Sequence, residues 1–276
     1  MERSRMPVHA SKIKKISTKS GNPGLPVVVL PGGPGLSSQT MDGLTELSDS
    51  RDLYFIDPPD TGEAETPEDF DYGVTLLDLK AAIAELDVPV ILLGHSFGGI
   101  WAAHLCESEG LDVRALVCLS VPFSERSFLD LRKQYEKHAS AEAFAGEKKF
   151  LDNPNGATLS AWTQELGRLY FNETNIERGK EMLRRDNFSA KLFLGCMAEG
   201  ALTANALLPK LKASSLPKLL LAGEADLYTT PQSQEQDAEL GGFEFATVPG
   251  GAHFVHFDSP SATCAAIERF LSGHAV

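Results

Sequence analysis

Apolar runs of strand length recur along the chain, at residues 26–30, 53–56, 89–93, 115–119, 218–222 and 243–248. Most are continuous rather than alternating, the pattern of strands buried on both faces. A more polar stretch precedes them, in which Ile13 and Ile16 are interleaved with Lys12, Lys14 and Lys15. That alternation predicts an edge strand whose lysines deter pairing with another chain. Between the runs lie helical patterns. Leu76, Leu79, Ile83 and Leu86 form one apolar stripe, residues 97–109 read as a helix closed by Gly110, and a last helix carries Ile267, Phe270 and Leu271. Strand and helix in alternation predict an α/β fold with a mostly parallel, doubly wound sheet and right-handed crossovers.

The alternation stops between residues 123 and 216, where no run reads as a strand. Helical stripes replace it: Phe128, Leu131 and Tyr135, then Leu159, Trp162, Leu166 and Leu169, with a turn at Asn153-Pro154-Asn155-Gly156 between them. The expected organisation is a core of residues 1–123 and 213–276 carrying an inserted helical cap of residues 124–212.

Composition narrows the functions open to such a fold. Of 276 residues, 25 are Lys or Arg and 38 are Asp or Glu, a formal net charge of −13. That charge opposes phosphate backbones and anionic lipid surfaces, so neither nucleic acid nor membrane is expected as a partner. No uninterrupted apolar run approaches the roughly 20 residues of a membrane span. The first ten residues, MERSRMPVHA, have no hydrophobic segment of a secretory signal, and a cytoplasmic location is expected. Cys106, Cys118, Cys196 and Cys264 lie far apart without a Cys-x-x-Cys pair, and read as buried reduced thiols rather than metal or redox groups.

The sharpest motif is Gly94-His95-Ser96-Phe97-Gly98-Gly99. Gly-x-Ser-x-Gly alone is a weak signal, since both residues are common. Here a buried strand precedes it, and Ile100-Trp101-Ala102-Ala103 opens a helix behind it. A serine on so sharp a strand-to-helix turn is held in a strained backbone that projects its Oγ from the sheet. Gly94 and Gly98 keep side chains out of the turn, and the helix aims its free N–H groups at the same point. A phosphate-binding loop, the rival reading, needs a different glycine spacing and a lysine.

A serine hydroxyl needs a base, and the base needs an orienting acid. His253, in Pro249-Gly250-Gly251-Ala252-His253-Phe254, follows the run at 243–248; His256 is its rival. Asp226, in Gly223-Glu224-Ala225-Asp226, follows the run at 218–222, at the carboxyl edge where open α/β sheets bind ligands, with Glu224 the alternative. An isolated loop Asp is by default a turn residue, but the chain order Ser96, Asp226, His253 is the one expected behind a serine turn of this kind. The negative charge of an acyl-transfer intermediate also needs donors. The N–H of Phe97 is one candidate, and Leu30-Pro31-Gly32-Gly33-Pro34-Gly35 supplies the other, from Gly33 or else Gly32. This chemistry requires no cofactor and no metal.

At these residues the chain, from about residue 26 onward, resembles an α/β-hydrolase. GHSFGG resembles the family's nucleophile elbow, GEAD its acid loop and GAHFVHFDSP its histidine loop. PGGPG is similar to the HGGPG oxyanion loop of proline iminopeptidases, and Tyr170-Phe171-Asn172 to a stretch of their cap. The resemblance implies a hydrolase that cleaves a small ester, amide or peptide through an acyl-enzyme. The closest group is the proline iminopeptidases; a carboxylesterase, a lactonase or a ligand receptor on the same scaffold are the alternatives. A cap pocket of Trp162, Tyr170, Phe171 and Trp101, with Gly32 beside it, would take a small-molecule or short-peptide substrate. The chain departs from the iminopeptidase pattern at Pro31, which replaces the loop's His. It departs again at Asp57-Pro58-Pro59-Asp60-Thr61-Gly62, where the usual Arg is missing. Gly167 stands where those enzymes place the cap glutamate that binds the substrate amine; Glu165, Glu173 and Glu199 are the nearby carboxylates. Serine at position 96 separates the chain from dehalogenases and epoxide hydrolases of this fold, which use an aspartate there.

Overall fold

Seven strands build one sheet in the order β1-β3-β2-β4-β5-β6-β7. They are β1 (Lys12–Ile16), β2 (Val27–Leu30), β3 (Leu53–Asp57), β4 (Val90–His95), β5 (Val113–Leu119), β6 (Lys218–Gly223) and β7 (Glu244–Val248). The lysine-bearing β1 runs antiparallel on the edge against β3, and the other neighbours are parallel. This computed structural model describes residues 9–21, 23–68 and 70–276. Most of the segment read above for a secretory signal, up to residue 8, lies outside the described residues.

Burial on both faces explains the continuous apolar runs. Val28, Leu30, Leu92, Leu116 and Cys118 point to one face, beneath α1 (Tyr72–Ala84), α2 (Phe97–Cys106) and part of α8 (Ala190–Ala213). Val27, Val29, Ile91, Leu93 and Val117 point to the other, against a 3₁₀ helix (Ser38–Asp49) and α11 (Pro260–Gly273). All ten of these side chains are fully buried. With about 25 cal/mol for each Å² of apolar surface removed from water, this two-sided burial is the main force holding the sheet.

The inserted stretch is helical throughout: α3 (Glu125–His138), α4 (Ala141–Asp152), α5 (Gly156–Glu165), α6 (Gly167–Tyr170), α7 (Ile176–Arg185) and then α8. Its boundaries are written in short polar residues. Ser124 caps α3, and Asn155 caps α5 in a reciprocal box with Thr158, so the Asn-Pro-Asn-Gly turn ends one helix and starts the next. Apolar faces of this layer gather around Phe150, Leu159 and Leu183, with Leu36 and Phe254 from the loops of the sheet. The long α8 joins both layers: Ala190 belongs to that cluster, whereas Cys196, Ala204, Leu207 and Leu211 belong to the sheet core. Among the described helices α8 is long and apolar enough to cross a membrane, a length that the search for uninterrupted runs overlooks because Glu199, Thr203 and Asn205 punctuate it. After β6 come α9 (Pro231–Gly241), β7, α10 (Val255–Asp258) and α11.

One helix is shorter than its sequence suggests. α2 ends at Cys106, because the chain tightens there into bonds from Glu107 N–H to the His104 carbonyl and from Ser108 N–H to the Leu105 carbonyl. Gly110, at φ 88°, serves the turn into β5 rather than the helix end. All four cysteines are unpaired; Cys106 is half-buried and the others are buried.

Candidate active site

Strand β4 delivers Ser96 to the top of the sheet, and α2 begins at the next residue. Ser96 is held at φ 49° and ψ −123°, a conformation that side chains other than glycine rarely adopt. The surrounding glycines show why the turn closes. A Cβ on Gly94 would overlap the carbonyl of Gly98, and one on Gly98 would overlap the carbonyls of Leu30 and Pro31. The loop after β2 therefore runs directly against the serine turn. Gly32 lies closest: a Cβ there would sit 2.9 Å from His95 Nδ1 and 3.1 Å from Ser96 Cβ. Gly33, at φ 111°, lines the cavity above Ser96. As the first residue of α2, Phe97 has a backbone N–H without an intrahelical acceptor.

His253 and Asp226 converge on the same point. His253 Nε2 lies 3.2 Å from Ser96 Oγ, and His253 Nδ1 lies 3.2 Å from Asp226 Oδ2. Both contacts are at the long end of hydrogen-bond range, as is common before substrate is bound. Asp226 and His253 are each 2% exposed. The carboxylate is held by its own loop: Oδ1 accepts from the N–H groups of Tyr228 and Thr229, both at 2.8 Å, and Oδ2 accepts from the Thr229 hydroxyl at 2.7 Å. Glu224 is exposed, and His256 points elsewhere, its Nε2 donating to the Thr40 carbonyl at 3.0 Å. Burial, first among its causes, pushes the His256 imidazole down to about 4.

The loops that carry acid and base are bound to each other. Ala225 N–H donates to the Gly251 carbonyl at 2.8 Å, and a Cβ on Gly223 would overlap the Ala252 carbonyl. His95 Nε2 donates to the His253 main-chain carbonyl at 3.0 Å. Complete burial, with His256 and His253 close by, holds His95 well below the usual histidine range and hence neutral at pH 7. Asp258 accepts from the N–H groups of Ala252 and Asn172 and from Asn175 Nδ2, tying this loop to the inserted helices; burial raises its carboxyl above the ordinary value. Thr229 and the tie through Asp258 escape sequence reasoning, since a Thr before a helix reads as a cap and an Asp before a Pro as a turn.

Above Ser96 lies a pocket enclosing about 560 Å³, counted out to its opening toward solvent. Its walls include Leu159 and Trp162 of α5, Leu183 of α7, and Phe193 and Met197 of α8. Tyr170 also lines it, stacked on the His253 ring at 5.5 Å, and Tyr228 meets that ring edge-on at 5.1 Å. Burial raises both phenols, so both stay protonated donors at neutral pH. No Asp, Glu, Lys or Arg is among the lining residues. Trp101 does not reach the cavity: it is fully buried beneath Phe97, ring to ring at 5.1 Å. Phe171 is also outside it, stacked on Phe254 at 5.0 Å. Gly167 is buried against Lys180 and Ile176, and Glu165, Glu173 and Glu199 are exposed and outside the cavity wall.

A mostly parallel sheet with helices on both faces, a serine at a strand-to-helix turn and a helical layer inserted before β6 define the α/β-hydrolase class. Residues 27–267 match the alpha/beta hydrolase family, and the chain belongs to that family. A proline iminopeptidase of Lactiplantibacillus plantarum is 23% identical over 266 residues, covering 90% of this chain and 92% of that protein. An sn-1-specific diacylglycerol lipase of Mus musculus is 26% identical over 237 residues, covering 80% of this chain and 72% of that protein. A thermophilic esterase from Thermogutta terrifontis has a solved structure with a TM-score of 0.71 and 19% identity, covering 96% of this chain and 94% of that one, a likeness of fold.

Proposed function

We propose that the protein is a serine hydrolase that cleaves uncharged esters with an apolar acyl group. Ser96 attacks the carbonyl, His253 takes the serine proton and returns it to the leaving group, and Asp226 holds the imidazole. The N–H groups of Phe97 and Gly33 receive the oxyanion, and water resolves the acyl-enzyme. The observation that carries this reading is the unbroken hydrogen-bonded line from Ser96 Oγ through His253 to Asp226, beneath the cavity. Burial of the acid favours the mechanism, because a charge kept from water acts on the imidazolium at low dielectric.

The choice of ester over aminoacyl amide rests on the cavity wall. An aminopeptidase site must pair a substrate ammonium, and a buried unpaired ammonium is heavily penalised. The wall offers mostly aromatic and aliphatic side chains with two tyrosines and no carboxylate; Asp226 lies behind His253, outside the wall, and is already occupied by the imidazole and its own loop. The likeness to the L. plantarum iminopeptidase favours a second reading, a peptidase that takes its substrate amine with another group.

A fluorophosphonate probe should label the native protein and fail to label Ser96→Ala; equal labelling of the two would place the nucleophile elsewhere. p-Nitrophenyl butyrate should be turned over and Pro-β-naphthylamide should not. Turnover confined to the amide, and lost when its amine is blocked, would establish the peptidase.

A further inference from the structure

Thr229 stands inside the link between acid and base. Its Oγ1 is 2.7 Å from Asp226 Oδ2 and 3.1 Å from His253 Nδ1, both shorter than the direct Nδ1–Oδ2 distance of 3.2 Å. The residue is 2% exposed. A hydroxyl carries one proton, and the carboxylate claims it, because the charge-assisted contact is the shorter one. Toward the imidazole, Oγ1 can then only accept. That selects the ring form with its proton on Nδ1, which leaves Nε2 as the bare base facing Ser96. Were the hydroxyl to donate to Nδ1 instead, Nε2 would carry the proton and could not receive another.

Thr229 is itself locked. Gln234, fully buried in the first turn of α9, donates its Nε2 protons to the Thr229 carbonyl at 2.5 Å and to Oγ1 at 3.2 Å. The Ser120 carbonyl, 3.4 Å from Oγ1, is the weaker acceptor, so Oγ1 donates to Asp226 and accepts from Gln234 and His253.

Resting on the reading of Ser96, His253 and Asp226 above, we propose that Thr229 is a positioning residue for the base. Its hydroxyl closes a ring of hydrogen bonds with Asp226 and His253 that fixes the productive tautomer. It also presents two acceptors to Nδ1–H, so the ring resists rotation while Nε2 exchanges protons.

The test compares wild type, Thr229→Val, Thr229→Ser and Ser96→Ala on p-nitrophenyl butyrate, from about pH 5 to 9. Val keeps the shape and removes the hydroxyl; Ser keeps the hydroxyl. Losing a hydrogen bond to a charged group should lower kcat by about 10- to 100-fold in Thr229→Val with KM unchanged, while Thr229→Ser stays within about threefold of wild type. The acid limb of the kcat/KM profile should also move to higher pH. The imidazole is faced by Asp226 and Tyr228 from the acid loop, Tyr170 from the inserted helices, His95 from β4 and His256 from its own loop. Thr229→Val alters none of these groups but removes two contacts. One is the 2.7 Å donor to Asp226, whose loss makes the carboxylate pull harder on the imidazolium; the other is the longer 3.1 Å acceptor for Nδ1–H, whose loss works the other way. The charge-assisted contact is the stronger and sets the direction. Wild-type kcat and profile in Thr229→Val would overturn the proposal, as would equal losses in the Val and Ser variants or a lowered kcat with an unmoved acid limb. If Val does not fold, Thr229→Ala replaces it with the same expectations. Activity surviving in Ser96→Ala is a separate failure, that of the nucleophile itself.

Discussion

Backbone strain at Ser96 is stable only because its neighbours leave no alternative path. The residue sits at a positive φ between two glycines whose missing side chains let β4, α2 and the loop after β2 meet. Gly98→Ala should therefore destabilise the fold by about 1–3 kcal/mol through overpacking against Leu30 and Pro31, measurable as a lower urea midpoint; an unchanged midpoint would show that the turn can relax. In the proposed mechanism, chemistry at this scale depends on the imidazole tautomer. Asp226→Asn replaces an acceptor with a group that can donate toward Nδ1, and should lower kcat by about 10⁴-fold with little change in KM. A rate close to wild type would remove Asp226 from the mechanism and direct attention to Glu224. Ser96, His253 and Asp226 are legible in sequence because each stands in a short glycine-marked loop after an apolar run. Thr229 is not legible that way: its hydroxyl matters through two distances that no spacing encodes.

At the scale of elements, the junction between α7 and α8 meets the loop that lines the cavity. Asp186, the C-terminal cap of α7, accepts from both the N–H and the hydroxyl of Ser37, while Ser189 caps α8 and donates to Asp60 at 2.6 Å. Burial, with Asp57 nearby, pushes the Asp186 carboxyl up to about 6 from an ordinary 3.8. Between about pH 4 and 6 the folded chain thus keeps a proton that the unfolded chain has lost, so this group's contribution makes stability fall as pH rises through that window. Asp186→Asn should flatten that part of the curve and lose least stability at neutral pH. Urea midpoints measured at both ends of the window would show it; a slope equal to wild type would assign the dependence to other groups. Periodicity announces α1, α2, α3, α5 and α11, and turn residues mark the Asn-Pro-Asn-Gly break before α5; α4, α7, α8, α9 and α10 carry no stripe read from the sequence. The 3₁₀ helix after β2 and the early end of α2 are not announced, because neighbours in space decide both.

For the whole molecule, the proposed choice of substrate rests on the cavity. Met197, on the cavity-facing side of α8, is an unbranched side chain at the apolar wall. Met197→Phe should shorten the preferred acyl chain: kcat/KM for the longest p-nitrophenyl esters should fall about tenfold or more while acetate is little affected. Equal losses across chain lengths would mean that the acyl group lies elsewhere. The sequence by itself determined the α/β class, the places of the strands and the three candidate side chains, because these follow from continuous apolar runs of strand length, helical stripes of period 3.6 and turn residues close together along the chain. Tertiary structure alone decided that Trp162 and Tyr170 line the cavity while Trp101 and Phe171 do not. It alone decided that Glu165, Glu173 and Glu199 stay outside the cavity wall, and that Thr229 lies between acid and base. Those outcomes depend on contacts between residues remote in sequence or on side-chain direction within a packed layer, and packing supplies what local pattern cannot carry.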